Sequence, residues 1–463
     1  MLYAAVDLGG SSGRVTVGQL SGDKIVLTEV HRFKHEPVQN NDGLFWDWQF
    51  IIEQVKSGLL AATKLGEVAS VGVDSWAVDY GLIDKAGEVI GQPHCYRDGR
   101  TDGVMAKLKQ DLGVDYIYGK TGIQFIFFNT MYQLFVEKNT AAYQKADKFL
   151  MVPDLINYLL CGSIGTEITN ASTTQLLNVH TRDWDWELIE KLGIRKELFP
   201  KINKPGQQMG VVTGHGKLDG IKVISVGSHD TASAVAGTPL PVAGTAAYIS
   251  SGTWSLVGLE LKQPVTGKKA MDFNITNEMG VDDRIRFIKN VAGMWLIEES
   301  LDYWAAKGEK STAAELALAA ASLPKGAVIN ANDPRFEKPG AMPERIAALC
   351  QETNQPVPTT PAEYARCIFD SLADAYVKVL DQLQDAAGVT IDSINIVGGA
   401  SANKLLNQLT ANATGKTVYA GPVEATVLGS IITQMQAAGV INSLEEGRQI
   451  IKNSTLQAEF KPV

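Results

Sequence analysis

A chain of 463 residues is too long for one small core, and at ~150 residues per domain it reads as two or three domains, with two large halves fitting best. Hydrophobic residues at 45% and charged residues at 20%, without a low-complexity tract, exclude a disordered or fibrous chain. The formal net charge of −9 argues against a nucleic-acid partner, which needs a basic face, while a small anion can still be held locally.

Asp7 interrupts the first apolar run before a secretory h-region forms, and no basic n-region precedes it. No apolar stretch approaches the ~18 residues of a membrane span. The cytoplasm is the expected location, with no membrane partner. Cys95, Cys161, Cys350 and Cys367 form no paired C-x-x-C set, so free thiols are expected in a reducing compartment.

The run Tyr3-Ala4-Ala5-Val6 predicts a first strand, which ends in Asp7-Leu8-Gly9-Gly10-Ser11-Ser12-Gly13-Arg14. Residues 15–20 alternate with period two and predict a second strand, making the glycine segment a hairpin turn. Its glycines are expected to supply positive φ and to leave backbone N–H groups facing a concavity that suits a phosphate. Ser11, Ser12 and Arg14 add hydroxyl and guanidinium donors. Taken alone, the turn fits an ordinary hairpin equally well. Leading into a strand separates it from Walker and dinucleotide loops, which lead into a helix. Two other glycine segments fail those patterns by spacing: Thr414-Gly415-Lys416-Thr417 has Thr410 where the earlier glycine belongs, and the last glycine of 214–220 comes one residue late.

Residues 24–30 predict a third strand, 47–65 a helix with Ile51, Ile52, Val55, Leu59 and Leu60 on one face, and 68–74 a buried strand. Three antiparallel strands, a helix and a parallel strand open a ribonuclease-H-like half-domain. At the end of the fourth strand, Asp74, Trp76 and Asp79 offer an indole for a sugar's apolar face and carboxylates for its hydroxyls; the alternative is a core tryptophan beside solvated acids. Residues 223–227 predict a further strand running into Ser228-His229-Asp230-Thr231. A carboxylate there can accept the proton of a sugar hydroxyl during phosphoryl transfer, which makes Asp230 the candidate base. A helix N-cap is the competing role for Asp230, and a satisfied structural histidine for His229. Asp7, beside the phosphate turn, is placed for Mg²⁺ or for stabilising the turn.

The pattern restarts near residue 244. Residues 245–249 predict a strand into Ser250-Ser251-Gly252-Thr253, with another strand at 254–258. A long helix is predicted over 361–387, from a proline at its start to Gly388 just beyond its end. A strand at 393–397 ending in Gly398-Gly399 and a helix at 403–413 follow. Thr238-Pro239-Leu240-Pro241-Val242-Ala243-Gly244 is rich in breakers and marks the boundary, giving halves of 1–240 and 241–463 with a cleft between them for substrates.

These segments, with Tyr96-Arg97-Asp98, Gly122-Ile123-Gln124-Phe125, residues 169–176, Asn274-Ile275-Thr276-Asn277-Glu278 and residues 420–425, resemble the FGGY family of carbohydrate kinases over nearly the whole chain. That family lies within the actin-like ATPase superfamily. The resemblance implies an α/β fold of two ribonuclease-H-like domains, the first binding sugar and carrying the base, the second binding nucleotide. It implies ATP with Mg²⁺ at Asp7, and phosphates held by Gly10, Ser11, Ser12, Gly13 and Arg14, with Thr253, Glu298 and Gly399 completing the ATP site. Asp230 would be the proton acceptor, and Ala77, His229, Asp230, Thr231 and Asn290 would meet the sugar. Gly10, Ala77 and Glu298 stand where the family pattern has Ala, Gly and Gln. A carboxylate at 298 would repel the ATP phosphates unless it accepts from the adenosine hydroxyls.

The implied activity is phosphorylation of the carbon-one hydroxyl of a ketose, L-rhamnulose first, with L-fuculose or a pentulose as the alternative, by a monomer or weak homo-oligomer. Closure of the two halves on substrate would exclude water as a competing acceptor. A sugar or ATP sensor on the same scaffold is the rival from another class. Asp230 and the lack of a basic N-terminal extension weigh against it.

Overall fold

The computed structural model describes residues 1–241 and 245–463, so the predicted boundary segment falls partly outside the described residues. The chain forms two compact units. The first comprises Met1–Pro239, Leu261–Phe287 and Ala425–Ser454; the second comprises Leu240–Glu260, Ile288–Glu424 and Thr455–Val463. A single cut near residue 240 therefore does not follow this division, because two later segments return to the first unit.

The first unit is built on a six-stranded sheet in the order Gln208–Val211, Lys222–Ile224, Val68–Ser75, Leu2–Leu8, Ser12–Ser21, Lys24–Lys34. Leu2–Leu8 pairs antiparallel with Ser12–Ser21 and parallel with Val68–Ser75, and Ser12–Ser21 pairs antiparallel with Lys24–Lys34. This is the ribonuclease-H-like opening read from the sequence. Alternation along the first strand sends Ala4, Val6 and Leu8 to one face, against Ile51, Val55 and Leu59 of the helix Trp48–Ala62. Tyr3 and Ala5 point to the other face and meet Leu428, Ile431 and Met435 of the helix Ala425–Ala437. A strand covered on both faces reads as a continuous apolar run, as residues 3–6 do. The helix Trp48–Ala62 begins where the Asp47 carboxylate accepts from the Phe50 backbone N–H.

In the second unit the same order returns: Trp254–Leu261 beside Ala246–Ser251, then Ser393–Val397, Thr417–Ala420 and Ala458–Phe460. The pairing senses repeat as well, antiparallel for the first pair, parallel for the next two, antiparallel at the edge. The strand Ile285–Ala292, which flanks Trp254–Leu261, leaves the first unit after residue 287 and enters the second. The long helix runs over Pro361–Ala387 as predicted, opened by a Thr360/Glu363 capping box and closed by Gly388 at φ +66°. The segment 414–417 is a helix end followed by a strand. Among the described residues no helix is long and apolar enough to cross a membrane. All four cysteines are free, and Cys350 and Cys367 are both fully buried.

Candidate active site

Three carboxylates meet at the C-terminal ends of the parallel strands in the first unit. Asp7 and Asp74 are register partners on adjacent parallel strands. The next strand is extended by a bridge between Ser75 and His229, with the Ser75 N–H donating to Ser228 O at 2.9 Å. Asp230 follows as the first residue of the helix Asp230–Ala236. His229, not Asp230, occupies the N-cap, and it caps without a side-chain bond. The Asp230 carboxylate accepts from its neighbour Thr231, both from the backbone N–H and from Oγ1 at 3.0 Å. It keeps 30% of its side chain open. Burial of the carboxyl pushes its pKa up, the Asp7 charge adds to this, and His229 and the Thr231 donors oppose it.

Asp7 is clamped by Arg14, whose Nη2 and Nε lie 2.7 and 2.9 Å from Oδ2. Asp74 is fully buried, and among the described residues no hydrogen-bond donor reaches either of its oxygens. Burial, reinforced by the charges of Asp7 and Asp230, holds its pKa well above the ordinary value, against the pull of Arg14. A carboxyl whose folded pKa is raised stabilises the fold fully below its unfolded pKa, near 4, and that stability is lost as pH climbs through the folded value. Asp74→Asn removes this loss. In chelator-treated protein, the urea midpoint of the variant is expected to gain on wild type as pH rises from 4.5 to 8, by about 1.4 kcal/mol per unit of pKa elevation. Parallel pH curves for the two proteins would refute the assignment.

The segment carrying Asp230 is pinned from a side the sequence did not reveal. Glu167 Oε2 accepts from the Ser228 N–H at 3.0 Å and from Ser228 Oγ at 2.7 Å, while the His229 N–H donates to Thr169 Oγ1 at 3.2 Å. Asp154 accepts from the Glu167 N–H at 3.2 Å. Burial pushes Glu167 up even though Thr169 and Ser228 both donate to it. On the other side of His229 stand Glu278 and the wholly buried Arg286. Asp154, Glu167 and Arg286 lie in no motif; only Glu278 sits in a segment that signalled the family.

Beside the carboxylates, Trp46 and Trp76 pack at 4.3 Å between ring centroids, with His35 at 5.4 and 5.5 Å from them. His35 Nε2 lies 2.9 Å from Gly9 O and ties this cluster to the glycine turn. Trp76 is a core residue, but the acids around it are not solvated: Asp74 and Asp79 are both fully buried. Asp79 accepts from Trp46 Nε1 at 2.7 Å, Trp76 Nε1 at 3.0 Å, the Tyr96 N–H at 3.1 Å and Gln133 Nε2 at 3.1 Å. The half-buried Ala77 precedes Val78, which sits at φ +67°. For a β-branched residue that conformation costs about 1–2 kcal/mol. Thr130 Oγ1 and Gln133 Nε2 hold its carbonyl at 2.7 and 3.3 Å.

Glycine in the first turn is required for a reason other than the one expected. Gly9, Gly10 and Gly13 are absent from the positive-φ positions. A Cβ on Gly13 would instead strike the Phe33 ring and stand 2.6 Å from Leu8 Cδ2. On Gly10 it would approach Tyr96 Oη to 3.3 Å, a physical reason for glycine where the family pattern has alanine. Ser11 and Ser12 lie in the same turn, where Ser12 O accepts from the Gly9 N–H at 2.8 Å.

In the second unit, Thr253 joins the strands Ala246–Ser251 and Trp254–Leu261, and its carbonyl accepts from the Trp295 N–H at 3.2 Å. Glu298 lies in the first turn of the helix Trp295–Ala306. Gly293 is needed at the start of that helix, since a Cβ there would come within 2.7 Å of Gly252 O. Gly399 follows Gly398, which is at φ +81° and has Ser251 O only 2.9 Å from its would-be Cβ. Thr253, Glu298 and Gly399 thus sit on segments that touch one another. Asn290 lies in the strand Ile285–Ala292, past the point where it enters the second unit.

Comparison with known proteins matches residues 2–237 to the N-terminal domain and residues 247–438 to the C-terminal domain of the FGGY family of carbohydrate kinases. A rhamnulokinase of Mannheimia succiniciproducens is 44% identical, covering 99% of this chain and 94% of its own length. One from Bacillus subtilis is 42% identical, covering 100% and 96%. Among solved structures, a ligand-bound xylulose kinase from Lactobacillus acidophilus superposes with a TM-score of 0.83 at 18% identity, over 100% of this chain and 94% of that one. Plasmodium falciparum glycerol kinase with ADP gives a TM-score of 0.79 at 16% identity, over 100% and 94%. Both halves of the sequence and the repeated sheet therefore lead to one assignment: the chain belongs to the FGGY family of carbohydrate kinases.

Proposed function

We propose that this kinase transfers the γ-phosphoryl group of ATP to the carbon-one hydroxyl of L-rhamnulose, giving L-rhamnulose 1-phosphate and ADP. The full-length likeness to rhamnulokinases supports the substrate. The observation that carries the chemistry is Asp230, a partly open carboxylate of raised pKa set at the start of a helix among buried acids. As the hydroxyl oxygen bonds to the γ-phosphorus, the bond from that phosphorus to the β–γ bridging oxygen breaks and the hydroxyl proton passes to Asp230. The 1–240 half supplies the sugar site and the base: Ala77, His229 and Thr231 line the sugar, and a sugar contact is also assigned to Asn290. Gly10, Ser11, Ser12, Gly13 and Arg14 hold the transferring phosphates. In the 241–463 half, Thr253, Glu298 and Gly399 hold the nucleotide, with Glu298 accepting from the adenosine hydroxyls.

The donor chemistry fits Mg²⁺. Asp74 presents two buried oxygens that no donor among the described residues reaches, beside Asp7 and Asp230, whose charges raise its pKa. Among the described residues no group of three His, Cys, Asp or Glu is arranged to hold a metal; Mg²⁺, when bound, would keep several waters and take phosphate oxygens. Asp7 would hold it, and its charge would offset that of the transferring phosphates.

ADP release measured with Mg²⁺-ATP against L-rhamnulose, L-fuculose, L-xylulose and D-ribulose at matched concentrations tests the reading. The expected result is the highest kcat/KM for L-rhamnulose. A preference for another ketose would move the substrate and keep the mechanism, and ATP binding without turnover on any of them would end the kinase reading.

A further inference from the structure

The contacts around His229 leave one arrangement of its proton. Arg286 Nη2 donates to His229 Nδ1 at 3.0 Å, and the same nitrogen ion-pairs with Glu278 Oε2 at 2.9 Å. A guanidinium can only donate, so the nitrogen it meets must offer a lone pair. Glu278 Oε2 lies 3.1 Å from Nδ1, which would invite a proton there, but that proton would point at the Arg286 N–H. The Nη2 hydrogen that meets Nδ1 occupies that approach, and Glu278 Oε2 stays without a hydrogen-bond partner among the described residues. Arg286 is itself fixed: it is fully buried and its Nε donates to Met279 O at 2.9 Å. The other ring nitrogen, Nε2, lies 3.4 Å from Asp230 Oδ1.

We infer that Arg286 is a positioning residue which sets the tautomer of His229, keeping its proton on Nε2 and facing the Asp230 carboxylate and the sugar. This rests on Asp230 as the base. An Nε2–H beside Asp230 Oδ1 orients that oxygen and leaves the second one to take the hydroxyl proton. The opposite tautomer would set a ring lone pair against the carboxylate. Glu278 balances the charge of Arg286, and the guanidinium opposes the upward push of burial on its carboxyl.

The test is ¹⁵N NMR of histidine-labelled, substrate-free protein under alkaline conditions, with the His229 signals assigned by difference from His229→Gln. Wild type is expected to show a protonated Nε2 and a bare Nδ1. Arg286→Lys offers one flexible ammonium in place of the rigid fork, so the proton should move to Nδ1 and face Glu278. Its kcat should fall about 10- to 100-fold, with a smaller change in the KM for the ketose. Glu278→Gln leaves the guanidinium in place and should keep the proton on Nε2. A wild-type proton on Nδ1, an unchanged tautomer in Arg286→Lys, or a shifted one in Glu278→Gln would each overturn the inference. Should Arg286→Lys fail to fold, the wild-type and Glu278→Gln spectra still decide it. Because the spectra need no substrate, absence of ketose phosphorylation would remove the proposed function without altering the tautomer result.

Discussion

Asp230→Asn is expected to lower kcat by about 10²- to 10⁴-fold while the protein still folds and binds the ketose with affinity within a few-fold of wild type. The amide keeps an oxygen for the Thr231 N–H and Oγ1 but cannot accept the hydroxyl proton. It also removes a charge that opposes ionisation of Asp74, so the melting temperature should hold or rise. The wild-type pH profile makes the same point. A base must be ionised to act, and burial has raised the Asp230 pKa, so kcat/KM should fall on the acid side at a pH above the ordinary aspartate range. Calorimetric sugar binding, single-turnover rates and the pH profile together decide this. Turnover within ten-fold of wild type would show that another group takes the proton.

That Asp230 can be singled out as the candidate base from the sequence while the residues packed around it cannot has a physical cause. Asp230 follows an apolar strand, and a polar residue at a strand end is a local signal. The supports come from distant segments. Glu167 reaches Ser228 across 61 positions and Arg286 reaches His229 across 57, contacts that only the folded topology brings about. The repeated sheet was legible because each half carries its own strand alternation and its own glycine turn. The return of Leu261–Phe287 and Ala425–Ser454 to the first unit was not, because neither a short strand such as Thr276–Met279 nor an apolar helix such as Ala425–Ala437 records which distant unit it packs against. Glycine was recognised as necessary at the first turn for the wrong reason: sequence suggests backbone freedom, whereas the side chains of Phe33 and Leu8 leave Gly13 no room for a Cβ. The acids flanking Trp76 were open to being read as solvated, since charge normally marks the surface, whereas Asp74 and Asp79 are both buried.

Asp79→Leu should be the most destabilising single change at the site, enough to leave the first unit unfolded or to shift its melting by tens of degrees. The carboxylate accepts from Trp46 Nε1, Trp76 Nε1, the Tyr96 N–H and Gln133 Nε2, all in the interior. Each buried donor left without an acceptor costs about 1–3 kcal/mol, against a total domain stability of about 5–15 kcal/mol. Asp79→Asn should be milder, because its oxygen can serve the three donors gathered on Oδ2 while its amide nitrogen conflicts with Gln133. Burial nevertheless outweighs those donors and pushes the Asp79 pKa up to about 6. The sign follows: the group's stabilising effect is complete below its unfolded value near 4 and is lost as pH rises through about 6, at about 1.4 kcal/mol per unit. Wild-type stability should therefore carry a declining component between those limits that Asp79→Asn lacks. Chemical denaturation across that range, followed by intrinsic tryptophan fluorescence, reads both effects, and an Asp79→Leu protein as stable as wild type would show that the tryptophan cluster holds itself without the carboxylate.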